Sequence, residues 1–289
     1  MDKRYYFIFL LIFCTACTSE SKWNKMAERA ETLSKSGDYD ASLKAWKELL
    51  DFSQKKFPGE EEAVISAMSG MADVYRLKGE FEKAGALLEK VLPLQEKSAG
   101  KESLDVALTL NNLGVIYGRL KKWEAAKQAL EKSMPIIEKE FGEAALPGLL
   151  YNLAELHENQ GQFQEAESLM KKMLETDLKL QKEESSEEKN IEIAIDRLSL
   201  ARIYVLQKKT KEAYPLYQEA LRNAPHNSDV ADSVTKLAQA FQTQGLKEEA
   251  DRLLKKAAEL SKYAQNYFCN FNFFSSSIRV FRNWVSVLS

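Results

Sequence analysis

Apolar and polar positions follow a helical period along most of the chain. In residues 109 to 133, TLNNLGVIYGRLKKWEAAKQALEKS, two amphipathic helical stretches flank a basic turn at Lys121 and Lys122. The same layout returns on both sides. Aligned on a small residue in the first helix, the copies place Ala30, Ala72, Gly114, Ala154, Ala201 and Ala238 in register. Seven positions on lies a turn residue: Gly37, Gly79, Lys121, Gly161, Lys208 and Gly245. Five beyond that lies a second small residue: Ser42, Ala84, Ala126, Ala166, Ala213 and Ala250. The last set is spaced by 42, 42, 40, 47 and 37 residues, a loose but sustained period that predicts six helical hairpins.

Each set has a packing reason. Two small side chains let the helices of a hairpin approach closely, and glycine at the turn takes backbone angles that other residues resist. Three residues after the first set stand Leu33, Tyr75, Tyr117, His157, Tyr204 and Phe241, one large side chain per copy. Two after the turn come Tyr39, Phe81, Trp123 and Phe163, which give way to Thr210 and Lys247 in the two weaker last copies. Four past the third set lie Trp46, Leu88, Leu130, Met170, Tyr217 and Leu254, one turn along the second helix and on the same face as the small residue. Burying one such side chain is worth roughly 1.5 to 3 kcal/mol, but a lone hairpin cannot bury both of its faces, so the copies must stack.

These positions resemble the tetratricopeptide repeat. The long period, the stretches LNNLGVIY at 110 to 117 and LYNLAELH at 150 to 157, and Gly59, Gly100 and Gly142 after the second helices resemble its kinesin-light-chain form. The resemblance covers about Trp23 to Lys262 and implies an all-α fold, an α-α superhelix of about six hairpins. It also implies an inner face lined by the first helix of each hairpin. By the same resemblance, Asn112 and Asn152 match asparagines that hold the backbone of an extended peptide; an amide both donates and accepts, so it reads a peptide group whatever the side chain. Two positions before the first small set, these two share a register with Gly70, Ser199 and Lys236. One position after it lie Asp73, Val115, Glu155, Arg202 and Gln239. Arg76, Arg119 and Arg202 would suit an acidic ligand, whereas Asp73 and Glu155 would oppose one. The competing reading is that all of these are solvated helix-face residues without a ligand.

The first residues change the picture of location. MDKRYYFIFLLIFCTAC has Lys3 and Arg4, then an apolar run of ten from Tyr5 to Cys14, about half of the ~20 residues that a membrane-spanning helix needs. That pattern predicts a signal peptide over 1–16. Thr15-Ala16-Cys17 resembles the lipobox of bacterial lipoproteins, although Cys14 stands where leucine is usual. Lipid on Cys17 would anchor the chain to the cell envelope, with 17–22 as a short linker before the array at 23–262. Ordinary cleavage near Ala16 without lipid is the alternative. Only Cys269 would then remain as a thiol, and no internal disulfide is possible.

Composition narrows function by exclusion. The 289 residues are 45% apolar and 29% charged, which excludes disordered and fibrous classes. With 41 basic and 43 acidic residues interleaved, there is no basic stripe for a nucleic acid. No phosphate-binding loop, nucleotide fingerprint or nucleophile elbow occurs, and no histidine pair has metal-ligand spacing, so neither enzyme nor cofactor is expected. His157 stands at an aromatic position and reads as a packed core histidine, His226 as a turn residue after Pro225, and Glu60, Glu61 and Glu62 as a solvated helix start. KEESSEEKN, residues 182 to 190, accounts for the 47-residue spacing and reads as an exposed loop or a solvated helix extension.

The tail, 263–289, departs from the repeats with eight aromatics and no acidic residue. After Ser275 to Ser277, Ile278, Phe281, Val285 and Leu288 share a helical face, which suits a helix that covers the array, lies on a membrane or pairs with a second copy; a non-native end such as a shifted reading frame is the other explanation. The expected function is a membrane-anchored scaffold or envelope assembly factor that binds a protein or peptide. The alternative is a structural, membrane-associated oligomer self-associating through the tail.

Overall fold

The computed structural model describes residues 21–59, 61–183, 186–223 and 227–268. Cys17, Glu60, His226, Cys269 and most of the tail lie outside them. The described residues form α1 (21–35), α2 (Tyr39–Lys56), α3 (Glu61–Leu77), α4 (Phe81–Ala99), α5 (Leu104–Arg119) and α6 (Trp123–Phe141). A short 3₁₀ turn at Glu143–Ala145 leads into α7 (Leu146–Asn159), α8 (Phe163–Glu183), α9 (Glu187–Leu206), α10 (Thr210–Asn223), α11 (Ser228–Thr243) and α12 (Lys247–Phe268). No strand occurs among them.

These helices pair into the six expected hairpins, and one device reverses the chain in all of them. The turn residues have φ of 82° at Gly37, 76° at Gly79, 58° at Lys121, 73° at Gly161, 63° at Lys208 and 79° at Gly245. The next N–H then reaches back five residues: Asp38 to the carbonyl of Leu33, Glu80 to Tyr75, Lys122 to Tyr117, Gln162 to His157, Lys209 to Tyr204 and Leu246 to Phe241, at 2.8 to 3.0 Å. That closure satisfies a carbonyl left over at the helix end. The second helix starts on the following residue each time, including at Thr210 and Lys247. The two weaker copies therefore turn as the others do.

Both small sets are buried throughout. In the third hairpin a Cβ on Gly114 would lie 2.5 Å from Leu130 Cγ and 3.2 Å from the Ala126 carbonyl oxygen, so only glycine admits this approach. In the first hairpin Ser42 takes the alanine position and donates its hydroxyl to the Ala30 carbonyl at 2.7 Å, which leaves no buried polar group unsatisfied there. Trp46, Leu88, Leu130, Met170 and Tyr217 are buried as expected; in α12 Leu253 is buried and Leu254 only partly so.

The described chain forms two compact units, one up to Ile136 and one from Ile137, with the boundary inside α6. In the first unit, α3 packs on α2 and α4, and α5 on α4. Its core runs from Ala30, Trp46 and Met71 in one cluster to Leu88, Leu113 and Ile116 in another. In the second unit, α9 packs on α8, α10 and α11, and its core centres on Leu198, Tyr217, Leu237 and Phe241.

Two expectations need correction. Of residues 182 to 190, Lys182 and Glu183 end α8 and Glu187 to Asn190 open α9, which agrees with the helix-extension alternative, but the described part is not simply solvated. Lys189 bonds Asp177 at 3.2 Å and Glu192 at 2.8 Å, with Lys189 and Asp177 side chains only 14% and 4% exposed, and Gln181 donates to Asn190 at 2.5 Å. His157 is not a packed core residue either. It is half-buried at the end of α7, as Tyr75, Tyr117 and Tyr204 are at the same register position, with Nδ1 2.6 Å from the Gln162 side-chain oxygen.

Candidate functional site

In the first unit the candidate surface is built on α3 and α5. Spacing of three and four residues puts Leu108, Asn112, Val115 and Arg119 on one face of α5. Asn112 and Arg119 are exposed, and Leu108 and Val115 are half-exposed, whereas the adjoining Asn111 is buried. The second asparagine of the LNNLG stretch is therefore the one that faces outward. On α3, Asp73 is exposed and accepts from both Nε (3.1 Å) and Nη2 (2.5 Å) of Arg76, one turn along. Gly70, in register with Asn112, has no room for a side chain, since a Cβ would lie 2.4 Å from the Trp46 indole.

In the second unit the corresponding face is bridged by its own side chains. From Ile193 to Ile203 every residue of α9 is buried except Arg197 and Arg202. Arg202 donates to Glu158 of α7 at 2.5 Å, the two side chains being 13% and 12% exposed. Lys236 of α11 reaches Tyr151 of α7 at 3.4 Å. A long lysine side chain thus bridges the helices on either side of α9, and Ser199, a candidate inner-face residue, is buried on α9. Burial pushes the Glu158 carboxyl above the ordinary range; Arg202 and Lys236 pull it down and the neighbouring Glu155 raises it. Its second oxygen is buried without a hydrogen-bond partner.

The residues singled out from sequence are thus distributed unevenly. Asp73 and Arg76 are brought together; Arg202 is joined to Glu158, which the register did not single out. Asn152 and Glu155 are half-buried on α7, and Gln239 is exposed on α11. Asn112 and Asn152 belong to different compact units. A signal for Glu158 was present: Tyr151, Glu155 and Glu158 follow one another at four and three residues, on one face of a helix. Among the described residues no group of three acidic, histidine or cysteine side chains is placed to hold a metal, and no helix is long and apolar enough to cross a membrane.

Comparison with known proteins agrees with this geometry. Tetratricopeptide repeat profiles match residues 22–97, 63–139, 149–184 and 197–231. The chain belongs to the tetratricopeptide repeat family. No curated protein sequence matches it significantly. Among solved structures, BtubC (BKLC) from P. vanneervenii superposes with a TM-score of 0.64 at 19% identity, covering 74% of this chain and 84% of that one. A putative kinesin light chain repeat protein from Podosopora anserina gives 0.60 at 20% identity, covering 70% and 94%. RapI gives 0.62 at 17% identity, covering 85% of each chain. At such identities these likenesses carry the fold, an all-α superhelix, and include the kinesin-light-chain form of the repeat.

Proposed function

We propose that this tetratricopeptide repeat chain is a non-catalytic scaffold that holds an extended segment of a partner protein, and that it works at a bacterial envelope, anchored through lipid on Cys17. The binding half of the reading is supported above all by α5. Asn112 lies exposed between two half-exposed aliphatic side chains, Leu108 and Val115, so an amide that can pair with a peptide group sits beside apolar surface for its side chains. Such a face suits a strand of polypeptide better than a small solute. The anchoring half is supported by the leader sequence, and two or three acyl chains would hold the protein stably where one would not.

Crosslinking in intact cells tests the binding half. The native chain should capture a defined set of proteins that is lost or reduced in the Asn112→Ala, Asn152→Ala double variant; identical captures would remove the assignment. Fatty-acid labelling should follow the native chain and vanish in Cys17→Ala.

A further inference from the structure

Resting on the peptide-binding reading, we infer that the segment held on the α3 and α5 faces is uncharged and aliphatic, recognised through its backbone and apolar side chains and not through a charge. The sequence left the sign of the ligand open because arginines and carboxylates share the register. In the structure none of the three candidate arginines stands without a partner. Arg76 is held through two nitrogens by Asp73, Arg202 is enclosed with Glu158, and Arg119 is engaged as well.

At the Asp73–Arg76 pair each charged ligand therefore meets an opponent. A carboxylate approaching Arg76, whose side chain is 19% exposed, first encounters Asp73, which is 54% exposed. An ammonium group attracted to Asp73 encounters the guanidinium that already neutralises it. Breaking either pair loses a charge-assisted bond for one of similar strength, so charge adds little net affinity. An amide at Asn112 flanked by Leu108 and Val115 has no such competitor.

Fluorescence anisotropy with three labelled pools of synthetic peptides, each about twelve residues long, tests this. One pool contains Ala, Gln, Leu, Ser and Val; the second substitutes four positions with Asp, and the third substitutes four with Lys. The full chain should bind the neutral pool at least about tenfold more tightly than either charged pool. That affinity should change by less than about twofold between roughly 50 and 500 mM salt. Asp73→Ala, an exposed change that leaves the fold intact by circular dichroism, should release Arg76 and strengthen the Asp pool by about fivefold at low salt. Preference of the native chain for a charged pool with steep salt dependence overturns the inference and leaves the peptide reading standing. Failure of all three pools to bind overturns both.

Discussion

Positions that share a register need not share a chemistry, and the turn and contact residues make the point measurable. Lys121 and Lys208 sit at φ of 58° and 63°, where an L-residue pays about 1 to 2 kcal/mol and glycine does not. Lys121→Gly should stabilise the chain by about 0.5 to 1 kcal/mol in urea unfolding, the remainder being offset by glycine's greater freedom when unfolded. Gly114→Ala should do the opposite, costing about 1 to 3 kcal/mol because the new methyl group meets Leu130 and the Ala126 carbonyl oxygen. Glu158 supplies a pH signature. Its folded-state affinity for a proton is raised by burial, so above the ordinary carboxylate value near 4.5 the native state holds more proton than the unfolded one, and stability falls as pH rises through that window. Arg202→Ala removes a lowering influence and leaves the charge enclosed. The variant should lose roughly 3 kcal/mol at neutral pH and progressively less as the pH is lowered, because protonation discharges the enclosed Glu158; a loss independent of pH would contradict the assignment.

At the scale of helices, existence and pairing were legible because two small residues and one turn residue repeat at fixed offsets, and no tertiary information is needed to see that such hairpins must stack. Polar partnerships were less legible. Nothing in KEESSEEKN announces that Lys189 folds inward, since its partner Asp177 is 12 residues earlier in the chain and on another helix. Lys189→Ala should therefore cost about 2 to 4 kcal/mol by leaving Asp177 buried without its cation, with faster hydrogen exchange at the end of α8 and the start of α9. Lys182→Ala, exposed in the same stretch, should stay within about 0.5 kcal/mol. The candidate site was half readable for the same reason. The register singled out Asn112, whose exposure follows from helix geometry, but periodicity says nothing of a neighbour covering α9, where Ser199 and Arg202 are enclosed.

At the scale of the whole molecule, a scaffold of this kind works by offering one open face, and the two compact units differ in what they offer. The first presents Asn112 between aliphatic neighbours; the second spends its polar groups on itself through Glu158, Arg202, Tyr151 and Lys236. One contact in the first unit bears on how such chains diverge. Trp46 fills the space where Gly70 would otherwise carry a side chain, so the second hairpin cannot acquire an asparagine like that of the third unless the indole leaves as well. The second hairpin is therefore not interchangeable with the third: an asparagine-bearing copy in its place would evict the indole, so the first two hairpins would have to be exchanged together.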